Sequence, residues 1–296
     1  MDILRKITSF AGRWANVPSS VQETHSISHA LRASTDSIQK TQIHLSDEAK
    51  LMMGQLAARL PAAASLRDAG FKVFSQNGED GIIQHIIREV APKTRTFIEF
   101  GVQDYTESNT RFLLLNNNWR GLVIDPAEVY VDRIKASPEC RYKCDLTARR
   151  AFLTRDNIND VFREEGFSGE IGLLSIDVDG MDWHLWNAVT VVDPAIVVVE
   201  YNRNLPVDRP IVVPYQEEFD RLSGNHCYYG ASLPALRHLG RQKGYRFVGT
   251  ECHRTNAFFV KEDLAGNSLP EAHITADDRS PGRRTRYSAI CLFSIS

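Results

Sequence analysis

Apolar runs alternate with helical patterns over most of the chain. Polar segments with apolar residues at helical spacing predict helices, and they separate short runs that are rich in Val, Ile, Leu and Phe. These runs predict buried strands at 97–100, 121–125, 141–144, 171–177 and 195–201. Strands separated by helices predict right-handed βαβ units and a mostly parallel sheet. Runs at 245–250 and 256–260 predict a closing strand pair, which gives a doubly wound α/β sheet of about seven strands.

The first part of the chain has a different pattern. From Ser19 to Leu60 it contains no proline and a single glycine, Gly54, so a long helix or a helical pair is expected. Apolar residues recur every seven positions from 31 to 52, but the companion positions are mostly polar, so the seam needs another surface to cover it. We therefore predict an N-terminal helical arm at 1–68 for docking or homo-oligomer formation. The main domain is then 69–263, followed by a C-terminal tail at 264–296.

The first residues form an amphipathic pattern of their own. Ile3, Ile7, Phe10 and Trp14 fall on one face of a helix, with basic residues between them. Such a helix can lie on a membrane surface. Packing on a neighbouring element is the commoner fate of such a face, and we prefer it here.

Charge and cysteine usage exclude several classes of protein. The formal net charge of −2 gives no basic field for nucleic acid. Five cysteines without a C-x-x-C pair argue against a disulfide framework or a structural zinc site. No apolar run approaches the roughly 20 residues that span a bilayer. We expect a soluble, cytoplasmic protein that does not bind nucleic acid.

Acidic residues stand where the predicted strands end. In FIEFGVQDYTES, 97–108, Gly101 permits a close backbone approach, whereas packing does not explain Glu99. Asp125, Asp145 and Asp177 end the next three strands, and the carboxyl ends of parallel strands share the edge where open α/β sheets bind ligands. An acid after strand two can accept hydrogen bonds from a ribose diol, and one after strand three can meet an adenine amino group. Since the G-x-G-x-x-G dinucleotide pattern is absent, the sequence predicts a nucleoside ligand without phosphates.

The segment before the first strand predicts a capped helix. In FSQNGEDGIIQHIIREV, 74–90, Asn77 can cap a helix whose first turn carries Glu79 and Asp80. Ser75 and Gln76 precede the cap. On one interpretation the start of the helix directs their polar groups at a ligand beside the first strand, and on the other the segment is a well-capped surface helix without a role in binding.

A second group of acids follows the fourth and fifth strands. In IDVDGMDWH, 176–184, and the following strand end at 200–202, carboxylate and amide oxygens form a set that suits Mg²⁺ or Ca²⁺. We predict Asp179, Glu200 and Asn202 as metal ligands, and Asp182 or His184 as the base that removes a proton from a hydroxyl. On the alternative interpretation, Asp182 caps the following helix and His184 is packed.

Six blocks in one order resemble a known family, the FkbM-type S-adenosylmethionine-dependent methyltransferases. The resemblance covers roughly 74–261 and rests on FSQNGEDGII, FIEFGVQDYTESNT, GLVIDP, LLSIDVDGMDWHLW, IVVVEYN and YYGASLPALRHLGRQKGYRFVG. It implies the Rossmann-like class I methyltransferase fold, with S-adenosylmethionine as the cofactor. The residues that it implies for cofactor binding are Ser75, Gln76, Glu99, Gly101, Asp104, Asp125, Asp145 and Asp177. Gln103 and Tyr105 stand where small residues are common in the family.

Within this resemblance, Glu99, Gly101 and Asp104 hold the methionine and ribose part of the cofactor. Asp125 takes the ribose hydroxyls and Asp145 the adenine. Related sugar O-methyltransferases use a divalent metal at the acceptor hydroxyls, so the implied reaction is methylation of a sugar hydroxyl on a polysaccharide or glycoconjugate, with Mg²⁺.

Two other functions fit parts of the sequence. Asp177 and Asp179 match the D-x-D of a nucleotide-sugar glycosyltransferase, in which a metal binds a diphosphate. Glu99 and Asp104 would then face phosphates, which is unfavourable. Alternatively, the main domain is an inactive scaffold and the helical arm is the working part.

Overall fold

The computed structural model describes residues 46–59, 65–221, 227–279 and 293–294 of the chain. The chain divides into two compact units, 1–52 and 53–296. In the first unit, residues 46–52 are helical. The amphipathic N-terminal pattern and the seven-residue repeat from 31 to 45 lie outside the described residues, so the helical arm and its role in assembly stay predictions.

A seven-stranded sheet is the core of the second unit. Its strands, in chain order, are β1 (Thr96–Phe100), β2 (Arg120–Asp125), β3 (Leu146–Arg150), β4 (Gly169–Ile176), β5 (Val192–Glu200), β7 (Tyr245–Thr250) and β8 (Asn256–Lys261). The short strands β6 (Ile211–Val212) and β9 (Phe293–Ser294) pair separately.

The order across the sheet is β3-β2-β1-β4-β5-β8-β7. Strands β1 to β5 pair in parallel, and β8 runs antiparallel to both of its neighbours. The predicted doubly wound, mostly parallel sheet of the Rossmann-like class I methyltransferase fold is therefore confirmed.

Helices cover both faces of the sheet. They are α1 (Glu79–Val90), α2 (Arg111–Asn117), α3 (Glu128–Ala136), α4 (Ile158–Glu164), α5 (Asp182–Ala188) and α6 (Leu233–Gln242). Because successive side chains of a strand point to opposite faces, Phe258 and Phe259 belong to two separate core clusters. Ser232 caps α6, since its side chain accepts a hydrogen bond from the Ala235 N–H. Among the described parts of the chain, no helix is long and apolar enough to cross a bilayer.

The predicted cap of α1 is wrong. The N-cap residue is Gly78, which has φ 97° and no side chain to offer. Asn77 instead donates its backbone N–H to the Glu79 carboxylate at 2.6 Å. Because the left-handed Gly78 stands between Asn77 and the helix, Asn77 is one residue too early to be the N-cap, and no side chain caps the first turn.

The third strand lies later in the chain than predicted. Residues 139–143 form a π-helical turn, with Tyr142 75% exposed, and β3 starts at Leu146. Asp145 therefore lies at the amino end of β3, where its exposed carboxylate is 3.9 Å from Arg120. Because this edge is opposite to the carboxyl ends of the strands, the predicted contact between Asp145 and adenine is wrong.

Candidate functional site

A cavity of about 550 Å³ opens at the carboxyl ends of β1, β2, β4 and β5. Gly101, Asp125, Asp177 and Glu200 line it, each at or just past the end of its strand. Strand order reverses between β1 and β4, and open α/β sheets bind ligands at such a switch point. The volume lies within the range of small-molecule sites.

A smaller recess of about 150 Å³ shares Gly101 and Asp177 with the cavity, and Glu99 and Asp104 line it. Asp104 holds its own turn, because its carboxylate accepts the Thr106 hydroxyl at 2.6 Å and the Thr106 N–H at 3.2 Å.

Glu99 fixes the loop that follows β1. Its buried carboxylate accepts the backbone N–H groups of Asn109 at 2.8 Å and Thr110 at 3.1 Å, and the Thr110 hydroxyl. Burial raises the pKa of Glu99, and these hydrogen bonds oppose the rise. Gly101 has φ 81°, and a Cβ there would lie 1.5 Å from the Asp177 carbonyl oxygen. The close approach of the β1 and β4 ends therefore requires glycine.

Asp125 presents its carboxylate to the cavity. One oxygen accepts the Gln103 N–H at 2.8 Å and the other accepts the Ala127 N–H at 2.8 Å. Burial raises the pKa of Asp125, opposed by these two bonds. A carboxylate has about four acceptor positions, so each oxygen keeps one for a ligand hydroxyl.

The bulky residues of the β1 turn leave the cavity open. Tyr105 is buried, and its hydroxyl lies 2.9 Å from the Thr110 hydroxyl. Gln103 has an exposed side chain and borders the cavity. Both have left-handed backbone, with φ 49° at Gln103 and 63° at Tyr105. The departure from small residues is therefore accommodated by the turn's backbone.

Of the two residues predicted before α1, only Gln76 lines the cavity and the recess. Ser75 is fully buried, and its hydroxyl donates to Asp80 at 2.8 Å. The same Asp80 oxygen accepts the backbone N–H groups of 73–75. Ser75 thus holds the segment that presents Gln76, and its predicted place at the cofactor is wrong.

Three carboxylates meet where β4 and β5 end. Asp177, Asp179 and Glu200 each offer an oxygen that lies within 4.8 Å of the others. Burial and the neighbouring acids raise the pKa of Asp177 and Glu200 well above their usual values. The Glu200 Oε2 atom is buried and has no hydrogen-bond partner among the described residues. This set of hard oxygen donors fits a divalent cation.

Arg221 also contacts two acids of this acidic trio, and no sequence pattern predicts it. Its Nη1 atom lies 2.6 Å from Asp179 Oδ1 and 3.5 Å from Glu200 Oε1, and its guanidinium lies 3.7 Å from the centroid of the Tyr229 ring. Arg221 belongs to the long segment after β5 that contains Pro206, Pro210 and Pro214, in which no periodic pattern distinguishes one basic residue from another.

Asn202 is not a ligand of this set. Its buried amide donates to the carbonyls of Cys227 and Tyr229, both at 2.8 Å, and its oxygen accepts the Asn204 N–H at 2.9 Å. All of its polar atoms join the two ends of one loop. The predicted metal contact of Asn202 is therefore wrong, and Asp177 stands in its place.

The two predicted bases do not line the cavity. The buried Asp182 carboxylate accepts the N–H groups of Val178 at 2.9 Å and Gly180 at 3.0 Å, and burial raises its pKa to about 6. His184 bonds the Val213 carbonyl at 2.8 Å through Nε2, and burial lowers its pKa. The predicted catalytic role of both is wrong, because Asp182 holds the β4 turn and His184 is packed.

Backbone strain concentrates around the cavity. Apart from two helix C-caps, Ala91 and Asn118, the described non-glycine residues with positive φ are in loops at this edge of the sheet. They are Gln103, Tyr105, Asp179 and Arg254. Such conformations cost about 1–3 kcal/mol each and collect at functional sites.

Comparisons with solved structures find methyltransferases at low similarity. The N-terminal domain of EvdMO1 with SAH bound aligns with a TM-score of 0.38 at 11% identity, over 71% of this chain and 94% of that one. A putative O-methyltransferase from Klebsiella pneumoniae gives 0.41 at 12% identity, over 72% and 87%. The O-methyltransferase from Bacillus cereus in complex with SAH gives 0.36 at 11%, over 72% and 88%.

No protein-family model matches the chain, and no curated protein matches its sequence. At these TM-scores the structural likeness gives no residue a role and identifies no substrate. The fold therefore rests on the chain's own strand order, and the function on the geometry of the cavity.

Proposed function

We propose that this protein is an S-adenosylmethionine-dependent O-methyltransferase of the FkbM type. It methylates a sugar hydroxyl on a polysaccharide or glycoconjugate and is assisted by a divalent cation, for which Mg²⁺ is the first candidate. The observation that carries the proposal is Asp125 at the end of β2, beside the Gly101 turn, in a cavity at the sheet's switch point. The six sequence blocks described above support the same family.

The residues of the cavity fit the cofactor. Asp125 keeps one acceptor position on each oxygen for the two ribose hydroxyls, and Gly101 lets the backbone approach the ligand closely. The recess with Glu99 and Asp104 suits the ammonium group of the methionine part. Acids in these positions disfavour a phosphate ligand. The cofactor supplies an electrophilic methyl group on a sulfonium sulfur.

The acidic trio fits the metal and the proton acceptor. Asp177, Asp179 and Glu200 would hold the cation, and Glu200 brings a buried oxygen that has no partner among the described residues. A bound divalent cation lowers the pKa of a coordinated hydroxyl. A carboxylate oxygen of the trio that does not coordinate the cation would accept the proton that the acceptor hydroxyl loses.

Calorimetry with SAH tests the cofactor. We expect Asp125→Ala to weaken SAH binding about 10- to 100-fold, because it removes charge-assisted hydrogen bonds. Asp160→Ala is the matched control, since that carboxylate is exposed and its ion pair is with Arg163 on its own helix. No binding of SAH to the wild type, or equal binding to Asp125→Ala, contradicts the proposal. Binding of a uridine-diphosphate sugar instead would favour the glycosyltransferase.

Two further experiments address the metal and the arm. Methyl transfer from labelled cofactor to a panel of sugars should stop in EDTA and return with Mg²⁺, whereas transfer that survives EDTA removes the metal from the proposal.

Deleting 1–52, the first compact unit, should abolish assembly and retain transfer if the N-terminal region forms the oligomer. Absence of transfer in both forms would favour an inactive scaffold. A cytoplasmic location remains part of the proposal.

A further inference from the structure

The cavity is lined by arginines and aromatic rings. Arg203 and Arg254 border it beyond β5, and its rings are those of Phe152, which follows β3, and of Tyr215, Phe219 and Tyr229. Arg221 is held by the acidic trio. Within the described parts of the chain, Arg254 Nε is buried without a hydrogen-bond partner. A guanidinium with an unfilled donor at a cavity wall is placed to receive an anion.

A buried carboxylate fixes the turn that presents Arg254. Glu251 is fully buried, and it accepts the backbone N–H groups of the next turn, those of His253, Arg254, Thr255 and Asn256. These bonds hold Arg254 at φ 63°. The Arg203 Nη1 atom donates to the His253 carbonyl of the same turn. Both guanidinium groups are therefore attached to one rigid turn before any ligand binds.

This turn lies away from the residues proposed for the ribose. Glu200 pairs with Asn256 in the β5–β8 register, so residues 251–255 lie just past the carboxyl end of β5. Strand β8 is four positions from β2, which carries Asp125. At about 4.8 Å between neighbouring strands, the separation is roughly 19 Å. The turn and the acidic trio therefore share the acceptor side of the cavity.

We propose that Arg254, supported by Arg203, binds an oxyanion of the acceptor, so that the substrate is an acidic sugar with a carboxylate, sulfate or phosphate group. This inference rests on the proposed function and specifies its substrate class. The planar fork of arginine matches the paired oxygens of these groups. The aromatic rings of the cavity offer apolar faces to the sugar ring.

Four probes with the same ring test the inference. They are methyl glucoside, methyl glucuronide, glucose 6-sulfate and glucose 6-phosphate, each titrated into SAH-loaded protein and followed by calorimetry or ligand-observed NMR. We expect at least one anionic probe to bind ten- to hundredfold more tightly than the neutral glucoside. Arg254→Gln should abolish this preference, Arg254→Lys should retain part of it, and Arg163→Gln, which alters an exposed pair on α4, should leave it unchanged.

Other outcomes separate this inference from the proposed function. Equal binding of all four probes, no binding of any, or a preference that survives in Arg254→Gln overturns the oxyanion site. SAH binding that weakens in Arg254→Gln, while binding of 5′-methylthioadenosine does not, would assign Arg254 to the carboxylate of the cofactor and also overturn it. If SAH does not bind but the unloaded protein still prefers an anionic probe, the site stands and the methyltransferase proposal fails.

Discussion

Arg221 is the cation on which the acidic trio depends when no metal is bound, and replacing it should destabilise the protein in a pH-dependent way. The change is Arg221→Gln, which removes the charge and keeps most of the side-chain length. It eliminates one contact to Asp179 at 2.6 Å and one to Glu200 at 3.5 Å.

The two contacts differ in value because their partners differ in burial. The Asp179 side chain is 70% exposed, so that ion pair contributes about 0–1 kcal/mol. Glu200 is only 7% exposed, and a buried hydrogen bond to a charged group contributes about 1.5–3 kcal/mol. We expect Arg221→Gln to lower the free energy of unfolding by about 2–3 kcal/mol at pH 8.

The loss should shrink as the pH falls. Burial and Asp177 already raise the pKa of Glu200 well above 4.5, and Arg221 opposes the rise. Without Arg221 the folded protein holds that proton to a still higher pH than the unfolded chain does. A proton held more tightly in the folded state gives stability that is present at low pH and is lost as the pH rises through the folded pKa. The variant should therefore differ least from the wild type near pH 5.

Urea denaturation at pH 5 and pH 8, in EDTA, measures both quantities. Arg163→Gln is the matched control, because its ion pair with Asp160 has the same 2.6 Å distance but exposed partners, at 55% and 71%. It should cost less than about 1 kcal/mol at either pH. An equal loss at pH 5 and pH 8, or a loss no larger than that of the control, would refute the reasoning.

Three further predictions use the same site. Gly101→Ala should lower the free energy of unfolding by at least about 3 kcal/mol, because the alanine would need the left-handed φ of 81° and its Cβ would clash with the Asp177 carbonyl. Gly169→Ala is the control, since Gly169 has φ 68° but open space around it, and it should cost only about 1–2 kcal/mol. Similar urea midpoints for the two variants would contradict this prediction. Because burial raises the pKa of Asp182 from 3.8 to about 6, the wild type should lose about 2 kcal/mol relative to Asp182→Asn between pH 4 and pH 7, and parallel stability curves would exclude it. Arg221→Gln should bind Mn²⁺ more tightly than the wild type in calorimetry, since the guanidinium competes for the same oxygens; weaker binding would show that Arg221 assists the metal.

The strands that sequence patterns could find are the ones buried on both faces. β1, β2, β4 and β5 are continuous apolar runs because helices cover both sides of the sheet. β3 is an edge strand, LTARR, with buried and partly exposed positions in alternation and two arginines. RYKC has more aromatic and apolar character, although it forms the turn before β3. Local composition could not decide between them, since the choice depends on which segment reaches β2.

The sequence could predict only those site residues whose position follows from the order and direction of the strands. Asp125 and Asp177 follow from strand ends that share one edge. Asn202 and Asp182 have the residue types and positions of a ligand and a base, but their polar atoms bond to local backbone. Arg254 lies on a turn whose shape is set by four backbone bonds to a buried carboxylate, which no spacing in the sequence reveals.

The number of backbone N–H groups that an acid accepts separates the loop-holding acids from the acidic trio at this edge of the sheet. Four buried acids accept two to four such groups each and hold a loop in place: Asp80, Glu99, Asp182 and Glu251.

The acids of the acidic trio accept no backbone N–H among the described residues. Asp125 accepts two, as Glu99 and Asp182 do, but unlike them it lines the cavity. Since buried polar groups in native proteins are nearly always satisfied, unfilled acceptors that line a cavity indicate where a ligand completes the structure. Substitution of a loop-holding acid should therefore lower stability first, and substitution of a cavity-facing acid should lower ligand binding first.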